Sequence, residues 1–251
     1  MNPTIQTALL NKLLALADDE MILSHRNSEW IGHGPILEED IAIGNIAQDE
    51  LGHATVWYGL YCELTGDDPD SLVFLRDAAN FHNVQMVELP TGDWAFTILR
   101  QYLFDTYELV TLTALQESSY QPLAEAVAKI RNEEIYHYRH SNIWVKRLGL
   151  GTEESNGRMQ NALDELWPYA QQLFVVLPDE AVLIEEGIVA ETADLHTNWA
   201  NIVIPHLTNC GLVMPENNAP VAQDRAQHTD YLTELLKEMQ IVARLDITAK
   251  W

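Results

Sequence analysis

The chain has 251 residues, of which 47% are hydrophobic and 21% are charged. This composition is sufficient for a substantial buried core and shows none of the bias typical of disordered chains. The 38 acidic and 14 basic residues give a formal net charge of −24 at pH 7. Nucleic acids and anionic membrane surfaces are therefore poor partners, because the long-range field of the protein repels them.

The N-terminus enters an amphipathic segment directly, without the basic start and apolar run that are typical of a signal peptide. No stretch of about 18 uncharged apolar residues indicates a membrane span. Cys62 and Cys210 lie far apart within helical patterns, which favours two core thiols over a disulfide. We therefore expect a cytoplasmic protein.

Apolar residues recur at helical spacing through most of the chain. The pattern predicts long helices over about 4–26, 36–64, 94–118 and 122–149, with short helices or irregular structure from 67 to 92. Three further helices are predicted near 154–175, 190–211 and 222–244, separated by Pro178 and by the prolines between 215 and 220. No strand-period alternation of useful length occurs. We expect one all-α domain over residues 1–251.

Two of the predicted helices carry the same short motif, an acidic residue followed by Glu-x-x-His. The motifs are Asp49-Glu50-Leu51-Gly52-His53 and Glu133-Glu134-Ile135-Tyr136-His137. Residues i and i+3 share one helix face, so each Glu and its His can bind one metal ion. One copy alone is weak evidence, since this spacing arises by chance in acidic helices.

A glutamate also lies on an apolar helix face before each motif, Glu20 before the first and Glu108 before the second. Alone, each would be read as a surface acid. An unpaired buried carboxylate costs several kcal/mol, and few basic residues lie nearby to pair with it. The order Glu, then Glu-x-x-His, occurs twice and matches the ligand scheme of ferritin-like four-helix bundles with two iron or manganese ions. The predicted ligands are Glu20, Glu50, His53, Glu108, Glu134 and His137.

Asp49 and Glu133 each precede a predicted ligand. They are candidates to accept the second imidazole proton of the opposing histidine and so to fix its orientation. An equally simple interpretation makes them solvated acids. The other histidines lack partners at ligand spacing, and we assign them no role.

Several longer strings carry a resemblance to a known family. They are Leu23-Ser24-His25-Arg26-Asn27-Ser28-Glu29-Trp30, Asn45-Ile46-Ala47-Gln48-Asp49-Glu50-Leu51-Gly52-His53, Arg147-Leu148-Gly149-Leu150-Gly151-Thr152 and Asn201-Ile202-Val203-Ile204-Pro205. Over nearly its whole length the sequence resembles the phenylacetic acid catabolic proteins, the ferritin-like subunits of bacterial ring 1,2-phenylacetyl-CoA epoxidases. The resemblance implies a ferritin-like four-helix bundle with additional C-terminal helices.

The resemblance also implies a function. It is a subunit of a di-iron monooxygenase that acts on an aromatic acyl-CoA in phenylacetate catabolism, with Glu50 and Glu134 as the bridging, catalytic carboxylates. Electrons would come from a separate reductase, and the partner would be a paralogous ferritin-like subunit or a second copy.

Two alternatives stay open. The length and the N-terminal half are most similar to the C-type members of the family, which implies a non-catalytic structural subunit, whereas the paired Glu-x-x-His motifs look like those of the A-type members. The other alternative is a different ferritin-like metal protein, for iron oxidation and storage or a manganese catalase.

Overall fold

The computed structural model describes residues 2–247, which form helices and connecting segments without any strand. In chain order the first helices are α1 (Pro3–Ser28), α2 (Leu37–Thr65), α3 (Pro69–Phe74) and α4 (Gln85–Glu88), with a 3-10 turn at Ala78–Asn80 between α3 and α4. They are followed by α5 (Trp94–Leu115) and α6 (Gln121–Gly149). The predicted all-α class is confirmed, and the four long helices α1, α2, α5 and α6 correspond to a ferritin-like bundle.

Local sequence fixes the ends of these long helices. Asn2 caps α1 by accepting a hydrogen bond from the Thr4 backbone N–H at 2.9 Å, and Asp93 caps α5 in the same way through Phe96. Helix α2 begins with three acidic residues at its positive end. It ends at Gly66, whose φ of 81° is a left-handed conformation that glycine adopts without strain.

A second group of helices covers one side of the bundle: α7 (Glu153–Gln172), α8 (Glu180–Glu185), α9 (Thr192–Asn209), α10 (Asp230–Met239) and α11 (Ile241–Leu245). Helices α7 and α9 pack on α5, and α8 packs on α1. Trp199 on α9 is fully buried, stacks on Trp167 with 5.4 Å between ring centroids, and donates from Nε1 to the Leu103 carbonyl at 3.0 Å. The additional helices thus extend the apolar core outward from α5.

Helix boundaries differ from the sequence prediction in three places. Helix α5 ends at Leu115 rather than at 118, a short helix, α8, forms between 175 and 190, and residues 222–229 are not helical. In the last segment Arg225 donates to Asp19 at 2.6 Å, while His228 contacts the Glu88 carboxylate at 2.6 Å. These long-range contacts replace the local helical hydrogen bonds.

Residues 1 and 248–251, included in the predicted domain, lie outside the described part of the chain. None of the helices described within 2–247 combines the length and the apolar character needed to cross a bilayer.

We predict that Arg225→Met lowers the free energy of unfolding by about 3 kcal/mol, because Asp19 is then buried without its charged partner. The double variant Asp19→Asn/Arg225→Met should recover part of the loss. Urea denaturation followed by circular dichroism measures both. The control is Arg158→Met: this guanidinium is half exposed, and its loss should cost less than about 1 kcal/mol. Equal losses at Arg225 and Arg158 would contradict the prediction.

Candidate metal centre

The four long helices bring all six predicted ligands into the interior of the bundle. None of the six is more than 5% exposed to solvent. The rings of His53 and His137, which come from α2 and α6, lie 5.8 Å apart between centroids. The structure therefore assembles Glu20, Glu50, His53, Glu108, Glu134 and His137 in one buried region, although their binding of metal stays a prediction.

Each histidine turns one nitrogen towards a buried carboxylate. Nδ1 of His53 lies 3.3 Å from Oε1 of Glu20, and Nδ1 of His137 lies 3.2 Å from Oε2 of Glu134. The first contact joins α1 to α2, whereas the second joins residues i and i+3 of α6. The Nδ1 atoms are thus the ones that would face an ion.

The opposite nitrogen of each ring contacts a partly exposed acid on the other helix. Nε2 of His53 lies 2.9 Å from Oε2 of Glu133, and Nε2 of His137 lies 3.3 Å from Oδ2 of Asp49. A carboxylate that accepts a hydrogen bond from Nε2–H favours the tautomer in which Nδ1 carries a free lone pair. A histidine that binds metal through Nδ1 requires this tautomer. Asp49 and Glu133 are therefore placed to orient the two imidazoles.

Two side-chain amides hold the Glu50 carboxylate. Nδ2 of Asn27 donates to both of its oxygens, at 3.1 and 2.9 Å, and Nε2 of Gln101 donates to Oε1 at 2.8 Å. Asn27 also donates to Gln101 at 2.8 Å. These donors fix Glu50 without adding a charge to the interior.

Asp105 is a buried acid of the centre that the sequence analysis missed. It accepts hydrogen bonds from Gln101 and from Ser141, both at 2.6 Å, and it is fully buried. Asp105, Glu50 and His137 each offer a ligand atom, and these three atoms lie within 4.8 Å of one another. The centre thus has a fifth carboxylate, placed as a further candidate ligand.

A signal for Asp105 exists in the sequence. It precedes Glu108 by three residues, so the two carboxylates share one face of α5. Ser141 follows His137 by four residues and shares the ligand face of α6 in the same way. A search for polar residues in register with each predicted ligand, rather than for the ligand motif alone, would have found both.

Burial and mutual repulsion raise the pKa of three of the carboxyl groups. Desolvation raises the pKa of Glu50 to about 8. Desolvation and then the negative charge of Glu134 raise the pKa of Asp105 well above its usual value. The pKa of Glu108 is raised well above its usual value by desolvation and then by the charges of Glu20 and Glu134. A raised pKa favours the neutral form of each carboxyl, so a cation at the centre would have to displace protons.

The imidazoles respond in the opposite direction. Burial by itself lowers the pKa of His53, but the Glu20 carboxylate outweighs it and raises that pKa to about 9. Burial also acts to lower the pKa of His137, but Glu134 and Asp49 outweigh it and raise that pKa well above its usual value. Without a cation, the neighbouring carboxylates thus favour the protonated form of both imidazoles.

Several polar atoms of the centre nevertheless have no hydrogen-bond partner among the described residues. They are both carboxylate oxygens of Glu20, Oε2 of Glu108, Oε1 of Glu134 and Nδ1 of His53, although Nδ1 of His53 and Oε1 of Glu20 form the 3.3 Å ion pair described above. Buried carboxylate and imidazole atoms without partners are rare, since each loses the stabilisation of water. These atoms belong to the set of oxygen and nitrogen donors that divalent iron or manganese prefers, and the set contains no thiolate. The donor types therefore fit an ion of this kind.

Comparison with known proteins shows the family of this chain. The family described as phenylacetic acid catabolic protein matches residues 1–251. The chain is 38% identical over 240 residues to the C-type subunit of 1,2-phenylacetyl-CoA epoxidase from Escherichia coli (strain K12), covering 95% of this chain and 97% of that relative. It is 24% identical over 221 residues to the A-type subunit of the same epoxidase, covering 86% and 71%. The resemblance is thus confirmed, and the chain belongs to the phenylacetic acid catabolic protein family.

Proposed function

We propose that this chain is a ferritin-like subunit of an oxygenase of the phenylacetyl-CoA epoxidase type, and that it binds two divalent ions, iron or alternatively manganese. The observation that supports the proposal most directly is the group of buried carboxylate and imidazole atoms that form no hydrogen bond with the described residues. Two cations would neutralise the carboxylates of Glu50, Asp105 and Glu108, whose raised pKa otherwise favours the protonated form.

Each helix pair would supply half of the ligands. Glu20, Glu50 and His53 come from α1 and α2, and Glu108, Glu134 and His137 come from α5 and α6. Glu50 and Glu134 would bridge the two ions. When bound, such a pair of ions activates molecular oxygen for insertion into an organic substrate.

The chain's own residues would set the geometry of that centre. The Asn27 and Gln101 amides orient Glu50, while Asp49 and Glu133 orient the imidazoles. The predicted ligands are at most 5% exposed, so the centre itself has little contact with bulk water. Such fixed, dry surroundings protect a reactive centre from side reactions.

An exposed apolar surface on α2 and α6 supports a protein partner. Its members are Leu37, Ile41 and Leu51 on α2 with Tyr136 and Ile143 on α6, each at least 45% exposed. A lone soluble domain rarely exposes so many large apolar groups on neighbouring helices. We propose that the partner is a paralogous ferritin-like subunit, that a separate reductase donates the electrons, and that the substrate is an aromatic acyl-CoA.

One observation favours a second candidate function, that of a non-catalytic structural subunit. The cavity beside His53 has a volume of about 160 Å³, whereas pockets for small-molecule substrates usually have about 300–1000 Å³. The greater identity with the C-type relative than with the A-type relative points in the same direction. In this case the paralogue supplies the catalytic pocket.

The experiment that separates these functions is a metal analysis together with a turnover assay. We expect the purified protein, loaded anaerobically with Fe(II), to hold close to two ions per chain. Glu134→Ala should hold fewer than one and should abolish oxygen-dependent turnover of phenylacetyl-CoA, because the bridging carboxylate is lost to both ions. Its circular dichroism should stay helical, since the cavity costs only about 2–5 kcal/mol.

The matched control is Glu125→Ala, which removes an exposed glutamate of the same helix and should change neither metal content nor turnover. A wild-type protein that binds no metal would favour the structural role. Full metal and full turnover in Glu134→Ala would show that Glu134 is not a ligand.

We expect metal affinity to rise from pH 6 to pH 9. In the metal-free protein the carboxyl of Glu50, with its pKa of about 8, keeps its proton below that pH, and the imidazole of His53, with its pKa of about 9, stays protonated below that value. A metal ion must displace these protons, so it competes better as the pH rises. Calorimetric titration with Mn(II) in buffers of different ionisation enthalpy should show proton release at pH 7. An affinity that is constant over this range would contradict the expectation.

Ile143→Arg should weaken association with the paralogous partner by about tenfold or more, because Ile143 is 64% exposed within the apolar surface of α2 and α6. Sedimentation of the mixed proteins measures the loss. Val176→Arg, equally exposed at 62% but outside that surface, is the control. Equal effects of the two substitutions would exclude the α2–α6 surface as the interface.

A further inference from the structure

A cavity opens from the surface between α2 and α6, directly outside the candidate metal centre. Its volume is about 160 Å³, and its lining includes Asp49, Gly52 and His53 on α2 with Lys129 and Glu133 on α6. Gly52 and Lys129 are exposed, and the side chains of Asp49 and Glu133 are 37% and 39% exposed. Solvent therefore reaches a wall that includes a predicted ligand.

His53 connects this cavity to the interior. Its Nε2 contacts Glu133 of the cavity wall at 2.9 Å, and its Nδ1 lies 3.3 Å from Glu20 in the centre. The imidazole is only 1% exposed. One aromatic ring thus spans the distance between an acid at the surface and an acid in the core.

The side chains at the opening of the cavity favour the passage of a cation. Two partly exposed carboxylates lie at its sides, and carboxylates are preferred ligands of hard divalent ions. The volume holds about five water molecules at the ~30 Å³ that each occupies in the liquid, which suits an ion that has lost part of its hydration shell. It does not suit an aromatic thioester.

We propose that divalent metal ions reach the centre through this cavity, first on Asp49 and Glu133 and then past the His53 ring to Glu20. The inference rests on the proposed metal centre and adds its loading route. Lys129 opposes the first step, because its positive charge lies beside the two carboxylates that attract the ion.

Gly52 provides the test of the route. A Cβ added at Gly52 would meet no atom within 4 Å, so the backbone leaves space for a side chain there, and we expect leucine to fill the opening. Gly59 lies seven residues later on the same face of α2, is equally free of neighbours, and does not line the cavity. Leucine at either position should support the helix, since glycine is about 1 kcal/mol worse than alanine inside a helix.

The experiment measures Co(II) uptake by the full chain in a stopped-flow spectrometer, through the absorbance of the bound ion. Gly52→Leu should slow uptake and release alike, at least tenfold, and leave the number of bound ions and the Kd unchanged. Gly59→Leu should match the wild type within twofold. Lys129→Gln should accelerate uptake about threefold at low ionic strength, and less at high salt.

Three outcomes would overturn the route. Uptake by Gly52→Leu at the wild-type rate, with normal binding at equilibrium, overturns the route and leaves the metal centre intact. If Gly52→Leu changes the Kd and the release rate but leaves the uptake rate unchanged, position 52 acts on the bound ion and not on a path. A wild-type protein that binds no Co(II), Fe(II) or Mn(II) overturns the metal centre itself, and the route with it.

Discussion

Seven ionisable side chains are buried together in the candidate metal centre, namely the six predicted ligands and Asp105. Their burial is the constraint on which the rest of this structure depends. A buried charge is tolerated only when it is paired, hydrogen-bonded or neutralised. The protein uses imidazoles beside Glu20 and Glu134 and amides on Glu50, and burial raises the pKa of Glu108 and Asp105, which favours their neutral form. Some buried carboxylate and imidazole atoms still form no hydrogen bond with the described residues. A metal ion would stabilise the centre most at these atoms.

The same constraint explains why the bundle opens between α2 and α6. Helices α1 and α2 pack closely along their length, whereas α2 and α6 make far fewer contacts. Polar pairs join them instead, such as Glu133 with His53 and Glu39 with His140 at 2.7 Å. The acids that hold the two imidazoles, Asp49 and Glu133, are partly exposed, so solvent reaches this part of the seam. The orientation of the imidazoles and the access of solvent therefore have one origin.

Sequence reasoning succeeded where a feature is local and failed where it depends on distant contacts. The helical period indicated the long helices, and the i, i+3 spacing of Glu50 and His53 indicated a shared face. Asp105 was missed because a single acid in a helix has the pattern of a surface residue until its neighbours on other helices are known. Residues 222–229 were wrongly predicted as helix for a related reason, since Arg225 binds Asp19 more than 200 residues away. Ligand assignment stays a prediction, because spacing shows proximity and not occupancy.

The fold is held by contacts that lie outside the candidate metal centre. Ion pairs of Asp19 with Arg225 and of Lys12 with Glu180 connect α1 to the later segments independently of the predicted ligands. Small metal-nucleated domains fold only with their ion, whereas this chain has a large apolar core as well as these pairs, so we expect its fold not to depend on metal. One bundle can therefore serve either in an oxygenase or as the structural partner of a paralogue.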